Sequence, residues 1–144
     1  MNAHEKHTVR AQEFILESTQ GRELAALRQD NEGNTLLNFA GPDGAPRMSL
    51  STAPNGTPRI TLFYANGMGS IEIEANDVLN SAGMIIVGPK GRVQALLGIT
   101  ADGLPVFALL DENGSVIFTN LNTRCQKSPG PAAESFDWDR LLRE

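Results

Sequence analysis

The chain has 144 residues, 40% hydrophobic and 20% charged, which predicts one folded domain with its own core rather than a disordered or membrane-spanning chain. A formal net charge of -5 removes the electrostatic motive for nucleic acid or an anionic membrane as partner, and a single cysteine excludes an intrachain disulfide framework and any multi-cysteine metal site. The 14 glycines and 8 prolines, with no low-complexity tract, point instead to a chain punctuated by turns.

The chain opens with Met1 to Arg10, MNAHEKHTVR, which lacks the run of about 7–15 apolar residues of a signal peptide. No run elsewhere approaches the ~18 apolar residues of a transmembrane helix. The expectation is a flexible N-terminus over 1–8 and a soluble cytoplasmic protein, and the lone Cys125 suits a reducing compartment. Asn55-Gly56-Thr57 and Asn113-Gly114-Ser115 match the glycosylation sequon, but they also match ordinary turn chemistry.

From residue 9 onward the turn signals are periodic. Gly21, Gly44, Gly67, Gly91 and Gly114 recur at intervals of 23, 23, 24 and 23 residues, with Gly33, Gly56 and Gly103 set between them. The apolar residues keep the same register. Seven residues before each glycine of the first series stand Phe14, Leu37, Ile60, Met84 and Phe107, and five before stand Leu16, Phe39, Leu62, Ile86 and Leu109. Four after stand Ala25, Met48, Ile71, Ala95 and Phe118, and six after stand Leu27, Leu50, Ile73, Leu97 and Asn120. Of these twenty, only Asn120 is polar, and the spacing of two within each segment is that of a strand with one apolar face. Asn66-Gly67, Asp102-Gly103 and Asn113-Gly114 supply hairpin turns, while Pro46, Pro58 and Pro105 stand where a strand would begin and a missing N–H matters least. The reading is all-β: an antiparallel up-and-down meander of about ten strands, built from five 23-residue hairpin repeats over 9–122.

The register breaks once. Glu74 to Gly83, EANDVLNSAG, carries one extra residue and has no glycine near Asn80, where the second series requires one. Asn76 or Asp77 is placed to cap a single helical turn there. After Asn122 the repeat ends. Residues 123–133 read as a linker, and 134–144, ESFDWDRLLRE, as a short C-terminal helix capped by Ser135. Trp138, Leu141 and Leu142 share one face of it, and so short a helix must dock on something, either the sheet or an unknown protein partner.

The phrase Gly91 to Phe118, GRVQALLGITADGLPVFALLDENGSVIF, resembles a family of prokaryotic repeat proteins whose unit reads L-x-L-x-D-x-x-G-x-x-R-A-x-L, followed by a D-G-x-P turn. Val9 to Leu27 is similar to the opening of such chains, so the resemblance spans about 9–120. Ser18, Gly41, Tyr64 and Gly88 depart from the unit where it has Asp, and Asp111 keeps it. The shared motifs are turn and core residues. The family has no established activity, so the resemblance implies no site residues. The aromatic and glycine signatures of MORN repeats, which share the period, are missing.

Searches for chemistry along the chain end without a constellation. Cys125 and the two histidines, His4 and His7, stand at opposite ends, so a Cys–His pair would need the ends to meet. His4 and His7 are spaced like metal ligands but are only two. Gly88-Pro89-Lys90-Gly91 lacks the order of a phosphate loop, and Gly67-Met68-Gly69 is part of a dinucleotide fingerprint in hairpin surroundings. Asp43, Asp77, Asp102, Asp111 and Glu112 mostly stand at turns, where acids serve the backbone. The expectation is no catalytic residue, no metal and no cofactor, with ligand-binding residues unknown.

Ten strands of about seven residues would form a sheet roughly 48 Å wide and 23 Å long. One face would be almost wholly apolar, with no long helix to cover it. Such a layer must fold over, close into a barrel or pack on another copy. The opposite face mixes Ile15, Leu24, Phe63, Ile85, Val87, Leu96, Leu110 and Ile117 with Glu17, Asn38, Arg47, Thr61, Ser70, Glu72 and Gln94, which suggests that parts of it are buried too. The leading expectation is a non-enzymatic structural or protein-interaction module that forms a homo-oligomer through its sheet faces. The alternative is a β-barrel carrier of a small apolar ligand lined by Phe14, Phe39, Met48, Leu62, Met84 and Phe107. Leu62 and Ile71, facing one side of the central hairpin, are expected to be fully covered in either case.

Overall fold

A computed structural model describes residues 8–121 of the chain. These form one antiparallel sheet of ten strands whose spatial order is the chain order. The strands are β1 (Phe14–Glu17), β2 (Glu23–Gln29), β3 (Thr35–Ala40), β4 (Pro46–Thr52), β5 (Pro58–Phe63), β6 (Ser70–Asn76), β7 (Ser81–Val87), β8 (Val93–Ile99), β9 (Pro105–Leu110) and β10 (Val116–Thr119). Alternation with a period of two selects strand over helix throughout. Pro46, Pro58 and Pro105 each open a strand, so no interior ladder bond loses its donor. The C-terminal helix expected over 134–144 lies outside the described residues.

The hairpins share one closure. At each glycine turn the N–H of the first residue bonds the carbonyl at the far side, as in Gly41 N to Ala45 O at 2.8 Å, and the glycine N–H bonds back three residues, as in Gly44 N to Gly41 O at 3.0 Å. That geometry needs a left-handed residue, and the eight turn glycines all have φ between 69° and 91°. A side-chain acceptor completes most turns from one of two positions. Ser18, Asp30, Thr100 and Asp111 accept N–H groups from the first position. Where that position holds Gly41, Ala53 or Tyr64, the acceptor sits two residues later, in Asp43, Asn55 or Asn66. The missing Asp in several repeats is thus compensated within the same turn.

The altered hairpin, β6 to β7, pairs Asn76 with Ser81 and so holds four residues in its loop. It is a turn, not helical, and Asn76 caps it: Asn76 Oδ1 accepts from Leu79 N at 3.0 Å. Asn80 stands at the missing glycine's place with φ 48°, the sole non-glycine with positive φ among the described residues. Asn is among the side chains that tolerate this region best.

Burial reverses the expected assignment of the core. Leu62, expected to be fully covered, is 42% exposed, and Ile71 is only partly buried. The buried residues, including Ala26, Ile85, Leu96, Val106 and Ala108, lie on the opposite face. The physical reason is that the described residues form a single layer, with nothing over the apolar face.

Candidate functional site

The apolar residues of successive strands stand opposite one another and make two rows across the sheet. One runs from Phe14 and Leu27 through Ile60 and Ile73 to Leu97 and Phe107. The other runs from Leu16 and Ala25 through Leu62 and Ile71 to Leu109 and Phe118. The rows meet at one edge, where the Phe107 and Phe118 rings lie 5.7 Å apart at 57°. Asn120, the polar exception, serves the ladder instead: its Oδ1 accepts from Phe107 N at 2.6 Å and its Nδ2 donates to Pro105 O at 2.7 Å. Eleven large side chains of the two rows, from Phe14 to Phe118, are between 37% and 61% exposed. A contiguous exposed apolar surface of this extent exceeds the ~300–600 Å² patch of a typical monomer.

The other face carries a polar group that the sequence reading did not single out. Arg59 on β5 and Glu74 on β6 are cross-strand partners. Arg59 Nε donates to Glu74 Oε2 at 2.8 Å, and Asn76 Nδ2 donates to Glu74 Oε1 at 3.0 Å. Glu74 is buried, as are Thr57, Asn76, Ser81 and Thr100 nearby. A signal was available: the pairing that sets Leu62 against Ile71 also sets Arg59 against Glu74. Farther across the same face, Ile85, Leu96, Val106 and Ala108 form an apolar cluster, with Val87, Val93, Leu110 and Leu121 packed against it.

Carboxylates at turns work for the backbone. The Asn34 side-chain amide holds the Asp30 carboxyl below its ordinary value of 3.8. Arg47 does so for Asp43, and the Ser115 and Asn113 N–H groups for Asp111. Lys90 pairs with Glu112, and Arg92 Nη1 donates to Asn113 O at 2.8 Å, so the Gly91 turn is tied to its neighbour and its lysine is engaged there. Gly69 packs beneath the Tyr64 ring, which leaves no room for even one added carbon. Among the described residues no group of three His, Cys, Asp or Glu side chains is placed to hold a metal. His4, His7 and Cys125 lie outside them. A cleft of about 250 Å³ at the β1 edge, lined by Phe14, Leu27 and Thr35 among others, is smaller than the ~300–1,000 Å³ of small-molecule sites. The sheet order leaves β1 and β10 at opposite edges, whereas a barrel carrier needs them to meet.

No protein-family model matches the chain, and no curated protein matches it. The two faces of the sheet therefore carry the functional argument alone.

Proposed function

We propose that this protein is a non-enzymatic structural module that self-associates through the apolar face of its sheet. The observation that carries the reading is the pair of apolar rows, which run across the sheet with their side chains exposed or half-buried. A face roughly 48 Å by 23 Å offers on the order of 1,000 Å² per copy. Two copies would bury about 2,000 Å², the top of the standard range and the start of the obligate one. Sheets pack face to face at about 10 Å with strands within roughly 30° of each other, and rows of Leu, Ile, Met and Phe suit that packing. Edge-to-edge growth is less favoured, because β1 and β10 have four residues each. Among the described residues, the recurrent side chains are accounted for by turns and by these rows.

Sedimentation equilibrium from submicromolar to micromolar concentration tests the reading. The expected result is a dimer or a larger closed assembly that dissociates on dilution, and a folded monomer when Leu62 is replaced by Asp. A wild-type monomer over the whole range would overturn it.

A further inference from the structure

We propose that the opposite face is covered by the chain's own C-terminal segment, 134–144, with Trp138 seated over the glycine pair Gly83 and Gly98. The first observation is burial. Ile85 and Val106 are 2% and 1% exposed, although the described residues make one layer. Ile15, on the same face but on the edge strand β1, is 46% exposed. Burial on this face also reaches Ala26 on β2, but the large buried side chains, Ile85, Leu96 and Val106, stand on β7, β8 and β9.

The second observation is a slot. Gly83 and Gly98 are direct cross-strand partners, and their row continues to Glu74 on one side and Val106 on the other. Ile85 and Leu96 wall the slot on one flank, and Ser81 and Thr100 on the other. With strands about 4.8 Å apart, the gap from Glu74 to Val106 spans roughly 14 Å with no side chain in its middle, enough for an indole ring. At its rim the Ser81 hydroxyl is buried without a hydrogen-bond partner among the described residues, and a buried indole N–H needs an acceptor.

The third observation is where the chain goes. Leu121, the last described residue, packs against this cluster, so the chain enters the face from the β10 edge. The remaining 23 residues include the 11 of the linker, 123–133. At about 3.3 Å per residue the linker can span some 36 Å, more than the distance from β10 to the slot. Trp138, Leu141 and Leu142 then supply the one apolar stripe on the segment. With this face covered, the apolar face alone is left for a second copy. If the pairing proposed above holds, it then closes as an isologous dimer rather than extending.

Trp138 is the only tryptophan, so its fluorescence in the full chain reads the proposal directly. The expected result is emission to the blue of free tryptophan amide and severalfold weaker acrylamide quenching, both independent of protein concentration. Gly98→Leu, which fills the slot, and Leu141→Glu, which spoils the stripe without touching the sheet, should each return the emission to that of free tryptophan. Leu62→Asp, on the other face, should leave it unchanged. Free emission in the wild type would overturn the proposal. So would shielding lost on dilution, which would assign the cover to a second copy, or shielding that survives both Leu141→Glu and a folded Gly98→Leu.

Discussion

Arg59 and Glu74 meet across β5 and β6 with both donors of the guanidinium, Nε and Nη2, on the single oxygen Oε2, leaving Oε1 to Asn76. The two partners are unequally placed: the Glu74 side chain is 7% exposed and that of Arg59 37%. The carboxylate depends on the pair more than the guanidinium does.

Arg59→Ala should therefore destabilise the fold by about 2–3 kcal/mol, somewhat below the ~3–5 kcal/mol of a fully buried pair, because water can reach the vacated side. Arg28→Ala, which breaks exposed pairs with Glu13 and Glu23, should cost within about 1 kcal/mol. Urea denaturation of both variants gives the comparison. Equal costs would mean that Glu74 is solvated.

Ile85→Ala and Leu62→Ala separate the two faces. The first removes a buried side chain and should cost about 2–5 kcal/mol at any protein concentration. The second should cost only about 1–2 kcal/mol in dilute solution, where part of Leu62 is already wet. Its cost should grow with concentration if assembly and folding are linked. Denaturant unfolding at two concentrations checks both, and a concentration-independent Leu62→Ala would detach the apolar face from association.

At Asn80 the backbone, not the side chain, sets the preference. Asn80→Gly should be neutral or slightly stabilising in thermal melts, since glycine adopts φ 48° without strain. Asn80→Val should cost about 1–2 kcal/mol, the left-handed penalty of an ordinary L-residue. A stabilising Asn80→Val would show that the turn is not left-handed.

The pH dependence follows from Asp30, Asp43 and Asp111, whose folded-state values lie below 3.8. A lowered folded value means that the unfolded chain binds protons first as pH falls. Their contribution is complete above the ordinary carboxylate value and is lost as pH drops through the lower folded values. Melting temperature should accordingly fall on acidification below about pH 4, and by less in Asp111→Asn. A variant that falls as steeply as the wild type would remove Asp111 from the linkage.

Strand order, register and turn positions were legible because each is a local requirement. Alternation of two sorts Leu62 and Glu72 onto different faces, a left-handed φ demands Gly67 or Gly114, and equal spacing keeps Phe14, Leu37 and Ile60 in one row. Even the irregular hairpin announced itself, through one extra residue and an Asn in place of a glycine, although its capped turn is not helical. The Arg59–Glu74 pair was one step further away: its partners are 15 residues apart and meet only once the register is extended beyond the apolar rows.

Which face is buried was decided by tertiary structure alone. A period of two divides side chains between two faces, but it contains no information on what lies above either. Apolar content argued for the face of Leu62, yet Leu62 and its row neighbours stay partly exposed. The face of Ile85, with fewer apolar residues but with Leu121 folded against them, is the one removed from water.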